Sequence, residues 1–247
     1  MPILQVEDLS GGYLKSRPVL HHLHFQVRSN EIVGLIGLNG AGKSTTIKHI
    51  LGLLEPTNGS ISIKGITRDQ HREAYQAQVT YIPETPIFYE QLTLWEHLEL
   101  TAMAYGLSED DWVPRAQSLL SEFRMEPMKH WLPETFSKGM KQKLMIICAF
   151  MLEPSLYVID EPFVGLDPKA IRSLLELMKR RQKKGAGILV STHILSTAEL
   201  FCDRFVLLHE GRILLQGSLP ELRQQTKLHQ ASLDEIFMQV TEVNRNE

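Results

Sequence analysis

Residues 37–45 read Gly-Leu-Asn-Gly-Ala-Gly-Lys-Ser-Thr, and no other stretch of the chain limits its possible folds as tightly. Gly37, Gly42, Lys43 and Ser44 stand at the fixed positions of the spacing G-x-x-x-x-G-K-[ST], with Leu38, Asn39, Gly40 and Ala41 between them and Thr45 following. The spacing has a physical reason. Glycines let backbone N–H groups close around phosphate oxygens where a Cβ would stand in the way. Lys43 brings a positive charge toward the β- and γ-phosphates, and the Ser44 hydroxyl suits Mg2+. The flanks agree, because 31–37 reads as a buried strand and 43–53 as a helix. Strand, loop and helix in that order deliver a phosphate to a helix N-terminus, where free N–H groups and the dipole favour an anion.

The 247 residues suffice for one large domain or for a core carrying an inserted subdomain. A formal net charge of −3 leaves no footprint for a nucleic-acid partner. The basic run 179–184 falls at the end of an expected helix, where cations are favoured, and reads as a solvated helix end. Cys148 and Cys202 form no C-x-x-C pair and fit a reducing cytoplasm. The opening residues Met-Pro-Ile-Leu-Gln-Val-Glu carry no apolar leader core. The longest apolar run, 144–152, is too short to cross a bilayer, so a membrane role would need another chain to do the spanning. His21, His22 and His24 crowd together. Leu20, Leu23, Phe25 and Val27 are interleaved with polar residues, which predicts a half-buried strand with His22 and His24 on its wet face rather than a metal site.

Residues 3–9 and 19–27 alternate like antiparallel strands, and 60–66 alternates again after the turn cluster at 55–59. A short apolar run, 79–82, ends at Pro83. From Thr93 to about Leu152 the pattern is helical, opened by the capping box Thr93-Leu-Trp-Glu96, with Trp95, Leu98 and Ala102 on the expected buried face. Buried strands follow at 156–160, 187–191 and 205–208, with Asp167-Pro168 as a helix start and Ser232-Leu-Asp-Glu235 opening a last capped helix. Strands alternating with helices predict an α/β fold with a mainly parallel sheet covered on both faces, an antiparallel β part, and a helical insert over about 85–153.

The run Leu156-Tyr-Val-Ile-Asp160-Glu161 is an apolar strand ending in two carboxylates. Beside the phosphate loop, Asp160 can hold Mg2+ and Glu161 can polarise an attacking water. His193 falls just past the end of another strand, where ligands collect in open α/β sheets, and a ring nitrogen there can reach a γ-phosphate.

With these residues in order, the chain resembles the ATP-binding cassette (ABC) ATPases, a P-loop NTPase family, over nearly its whole length. Phe136-Ser137-Lys138-Gly139-Met140-Lys141-Gln142 is similar to the family signature L-S-G-G-Q, Gly165-Leu-Asp167 to the D-loop, and Pro83-Glu84 to the Q-loop. At finer grain the resemblance is to the ATP-binding subunits of Ecs-type transporters of Gram-positive bacteria, carried by Tyr81-Ile-Pro-Glu-Thr-Pro86 and the stretch 96–106. It implies one nucleotide-binding domain over 1–240, with the insert at about 85–153 and C-terminal helices over about 218–247. It also implies ATP and Mg2+ as ligands, with Glu161, His193 and Lys43 as catalytic groups and Tyr13 stacking on adenine. Ser137, Lys138, Gly139, Met140 and Asp167 then act on the ATP of a second copy packed head to tail. Ser44, Glu84 and Asp160 form the metal side. Three positions depart from the family pattern: Glu84 for the Q-loop glutamine, Lys138 for a glycine and Met140 for a glutamine.

The resemblance further implies a multi-span transmembrane subunit encoded separately, docking at the cytoplasmic face of the cell membrane in a groove lined by Phe88 and Tyr89, with Trp95 in the core. Transport would run as export. A second reading, a soluble ABC ATPase acting on ribosomes or DNA, meets a single P-loop and no sustained heptads. A non-hydrolysing regulator would not need Glu161 and His193, and a GTPase would need an N-K-x-D motif that is absent.

Overall fold

The computed structural model describes residues 2–245. It holds a six-stranded sheet, a four-stranded antiparallel sheet and nine α-helices among those residues. The smaller sheet is built from β1 (Pro2–Gly11), β2 (Leu20–Arg28), β4 (Asn58–Ile63) and β5 (Ile66–Thr67) in the order β2-β1-β4-β5. Its first two strands pair Gln5 with Gln26 and Val6 with Phe25. Leu20, Leu23, Phe25 and Val27 are buried while His22 and His24 face solvent, as their alternation requires. The crowded histidines are held by strand geometry: His22 Nδ1 meets Asp8 at 2.7 Å beside a register shift in β1.

The larger sheet contains β3 (Ile32–Ile36), β6 (Val79–Ile82), β7 (Leu156–Asp160), β8 (Gly187–Thr192), β9 (Arg204–His209) and β10 (Arg212–Gly217), ordered β10-β9-β3-β8-β7-β6. Every pairing is parallel except β10 with β9. Strands β3, β7 and β8 are buried at every residue, the mark of a sheet covered on both faces. Their side chains divide between two cores. Tyr157, Ile159, Ile188 and Val190 join one, while Val33, Leu35, Val158 and Leu189 join the other, next to the small sheet and α1 (Lys43–Ile50).

The helical stretch comprises α3 (Leu94–Ala104), α4 (Glu109–Glu122) and α5 (Lys138–Met151). These helices share a continuous core with β7, β8 and α6 (Pro168–Lys183), so the insert does not bury its apolar faces alone. The capping box at Thr93 and Glu96 forms as the sequence requires, and Leu98 and Ala102 are fully buried. Trp95 differs from expectation: it is half-buried at the core edge, its ring tilted 45° against Trp112 at a centroid distance of 4.9 Å, with the Lys129 ammonium 3.5 Å from the Trp95 ring centroid. A Trp gains from one apolar side and one wet side, and the exposed edge takes the cation.

The basic run 179–184 is also more than a solvated helix end. Arg180 forks onto both oxygens of Glu122 at 2.8 and 2.7 Å, and Arg181 bonds Glu153 and the Phe150 carbonyl, the latter at 2.7 Å. These contacts tie α6 to α4 and to the end of α5. Cys148 packs against the main core, and burial pushes its thiol up to about 12. Beyond the sheet, α7 (Leu195–Glu199), α8 (Leu219–Thr226) and α9 (Leu233–Arg245) pack around Leu222, Leu233, Ile236 and Phe237, and the Ser232–Glu235 cap forms. The expected C-terminal helices extend in the sequence to 247, whose last two residues lie outside the described ones. Short α2 (Arg72–Gln76) is too brief to show a helical period, and the edge strand β10, half-buried along most of its length, neither alternates nor runs apolar throughout, so the sequence marks neither.

Candidate functional site

The C-terminal ends of β3, β6, β7 and β8 point the same way, and the loops that leave them converge on one cavity of about 410 Å³. Tyr13, Leu38, Asn39, Gly40, Gly42, Lys43, Ser44 and Thr45 line it from one side and Glu84, Asp160, Glu161 and His193 from the other. Gly37 and Ala41 are buried and do not line the cavity. A Cβ on Gly37 would meet the Leu208 carbonyl at 2.5 Å, and Gly40 and Gly42 take φ values of +84° and +108°. Only glycine adopts such a path without strain. No side chain caps α1, so the backbone N–H groups of its first turn stay available to an anion.

Lys43 reaches back across the loop and donates to the Gly37 carbonyl at 2.7 Å. Its ammonium lies 3.9 Å from Glu161, and both side chains are 7 % exposed. Burial lowers the Lys43 pKa, while Glu161, Asp160 and Glu84 oppose that shift. Burial raises Asp160, and the Ser191 hydroxyl, bonded to its carboxylate, opposes it. Three carboxylates thus face one ammonium, a charge imbalance that suits an added cation.

Glu161 is the most constrained residue of the site. Its φ is +46°, a left-handed conformation that costs a non-glycine residue about 1–2 kcal/mol. The backbone is held there by its N–H donating to the Ser191 carbonyl at 3.0 Å. Thr192 Oγ1 donates to Oε2 at 3.1 Å, and His193 Nδ1 donates to Oε1 at 2.8 Å. Sequence reading assigned no role to Ser191 and Thr192. Two hydroxyls in a fully buried strand of Ile, Leu and Val were the available signal, since a buried polar group needs a partner.

The donor set accords with Mg2+. Ser44, Asp160 and Glu84 offer hard oxygens, and among the described residues no group of three or more His, Cys, Asp or Glu could hold a metal ion unaided. Mg2+ commonly takes one or two carboxylates and completes its shell with substrate phosphates and water. An incomplete protein shell beside a phosphate cradle fits that habit.

Ser137, Lys138, Gly139, Met140 and Asp167 do not line this cavity. They gather at the N-termini of α5 and α6. Ser137 Oγ caps α5 by accepting from the Met140 N–H at 3.3 Å, and Ser137 and Lys138 are exposed. A Cβ on Gly139 would meet the Gly165 carbonyl at 2.5 Å, so glycine lets the signature segment and the D-loop touch. Asp167 caps α6 through the Lys169 and Ala170 N–H groups and pairs with Lys143 at 2.9 Å, which holds its pKa down to about 2. Further along the Q-loop, Ile87 and Tyr89 are exposed and Phe88 is half-buried, its ring centroid 5.0 Å from the Lys141 ammonium. His97 pins this segment by accepting from the Tyr89 N–H at 2.9 Å.

A P-loop at the end of β3, paired carboxylates at the end of β7 and a histidine after β8 define a P-loop NTPase cassette. The ABC transporter family model matches residues 20–164. The chain is 57% identical over 241 residues to the ABC-type transporter ATP-binding protein EcsA of Bacillus subtilis (strain 168), covering 98% of this chain and 97% of that protein. It is 34% identical over 227 residues to the SkfA peptide export ATP-binding protein SkfE of the same organism, covering 92% and 94%. A solved structure of an ATP-binding subunit of an ABC transporter superposes with a TM-score of 0.94 at 58% identity, covering 97% of this chain and 99% of that one. The chain belongs to the ABC transporter family, as an ATP-binding subunit whose ATPase activity is coupled to transport.

Proposed function

We propose that this chain is the motor of an exporter, working as a head-to-tail pair that holds two ATP–Mg2+ between its copies and drives a separately encoded membrane subunit at the cytoplasmic face of the membrane. The observation that carries the reading is the division of phosphate-binding features within one chain. The P-loop cavity is lined by Lys43, Asp160, Glu161 and His193, while the exposed Ser137 helix start is not part of that lining. A helix N-terminus capped by a short side chain, with a lysine beside it, suits a phosphate supplied from elsewhere. A second copy supplies one.

In this reading the α1 N-terminus, the glycine backbone and Lys43 bind the phosphates, and Tyr13 stacks on the adenine. Ser44, Asp160 and Glu84 hold Mg2+, which when bound neutralises phosphate charge and orients the γ-phosphate. Glu161 orients the attacking water and takes its proton. His193 donates Nδ1–H to Glu161, so it can meet the γ-phosphate through Nε2–H only as the doubly protonated ring, which has a donor at each nitrogen. Among the described residues no helix is long and apolar enough to cross a membrane, which suits a motor that acts through a spanning partner. Export is supported by the likeness to a peptide export ATP-binding protein.

The test is Glu161→Gln. Turnover should fall by about 10²-fold or more, the scale of a positioned general base. ATP binding should persist, and an ATP-bound dimer should accumulate in sedimentation velocity. Near-wild-type turnover assigns the base elsewhere; a monomer at saturating ATP removes the head-to-tail pair.

A further inference from the structure

Two consecutive residues of α1 hold the segment that presents Tyr13. Lys48 Nζ donates to the Tyr13 hydroxyl at 3.1 Å and lies 4.9 Å from the ring centroid. Lys48 makes no ion pair among the described residues, and Tyr13 is its side-chain partner. At the next position His49 is buried, with Nδ1 donating to the Thr45 carbonyl at 2.8 Å. Its Nε2 packs so closely on Gly11 that a Cβ there would meet it at 2.4 Å. The end of β1 and the ring two residues further on are therefore docked on the helix that begins with Lys43.

Tyr13 is 59 % exposed, so packing alone does not fix its ring. A freely turning aromatic loses rotamer freedom when a ligand stacks on it, and that cost subtracts from affinity. We propose that Lys48 is a positioning residue: it holds the Tyr13 ring ready for a nucleobase and so sets affinity for base-bearing nucleotides without touching the phosphates. The inference rests on the reading of Tyr13 as the stacking residue. The same hydrogen bond holds the Tyr13 phenol below its ordinary pKa, as expected for a cationic donor.

Calorimetric titration of the full chain with ATP and with bare tripolyphosphate tests this in wild type, Lys48→Met, Lys48→Arg, Tyr13→Leu and the Met/Leu double variant. Lys48→Met should weaken ATP about three- to tenfold, the range of one net hydrogen bond, and leave tripolyphosphate binding unchanged. Lys48→Arg should recover most of the loss. In the Tyr13→Leu background Lys48→Met should add nothing, because its effect passes through that ring. In turnover assays KM should rise with kcat unchanged. Retained tripolyphosphate binding also reports an intact α1 and P-loop. Wild-type ATP affinity in Lys48→Met alongside a loss in Tyr13→Leu overturns the positioning role and leaves stacking intact. Wild-type affinity in Tyr13→Leu overturns the stacking reading and this inference with it. A loss of tripolyphosphate binding in Lys48→Met puts Lys48 on the phosphates, and a further loss of ATP in the double variant shows an effect that does not pass through Tyr13; either overturns the inference.

Discussion

The cavity around Lys43 and the corner around Ser137 both present helix N-termini, yet they are built in opposite ways. In the cavity Lys43, Asp160 and Glu161 are buried and bonded, Lys43 to Gly37, Asp160 to Ser191, Glu161 to Thr192 and His193, while Glu84 and His193 are exposed at its rim. A buried carboxylate without such partners would simply protonate. In the corner Ser137 and Lys138 are exposed, while the Gly139–Gly165 contact and the Lys143–Asp167 pair fix the backbone around them. The first region is organised before any ligand arrives. The second is a surface which, in the proposed reading, takes its phosphate from a second copy. The difference teaches which half of the chemistry one chain can prepare alone.

The sharpest way to break this contrast is Ser137→Arg. The bulk should bar a facing phosphate and lower turnover by about 10²-fold, the scale of losing a preorganised anion site, while ATP affinity of the isolated chain stays within about twofold. Equal loss of monomer binding would mean that Ser137 serves its own cavity, and the two regions would be one. A second test moves to the Q-loop surface. Phe88→Asp combined with Tyr89→Asp should leave a folded, ATP-binding chain that no longer copurifies with its membrane subunit, because two charges replace aromatic anchors of about 1–2 kcal/mol or more each. A thermal melt and a pull-down from solubilised membranes decide it. Unfolding would put Phe88 in the core, and an intact pull-down would move the docking surface elsewhere. The smallest effect is expected at Glu84→Gln. An amide keeps an acceptor oxygen and gains a donor, so ATP affinity should change by less than about threefold while the coupling of hydrolysis to transport shifts. A large loss of nucleotide affinity would make Glu84 part of the prepared cavity rather than of its exposed rim.

Local patterns carried most of the architecture. The loop at 37–45, the apolar strand closed by Asp160 and Glu161, and the Thr93, Asp167 and Ser232 caps each depend on residues within a few positions of one another. Their physics is local, so one sequence suffices to read them. The strand of Ile, Leu and Val before His193 is of the same kind. What the sequence left open is what depends on neighbours far along the chain. Ser191 and Thr192 hold two carboxylates only because β8 lies beside β7, with Asp160 and Ser191 in register. Arg180 and Arg181 looked solvated until α6 came to rest against Glu122 and Glu153. Trp95 carries an apolar signature, yet the approach of Lys129 and Trp112 leaves it at an edge. Lys48 meets Tyr13 across 35 residues, through a strand end docked on a helix. The sequence determined the cradle, the elements and the family of this protein, because spacing and periodicity are properties of the chain itself. Which side chains hold the Asp160 and Glu161 carboxylates and the Tyr13 ring was decided by tertiary structure alone, because a hydrogen bond of about 3 Å forms only where the fold sets its two partners side by side.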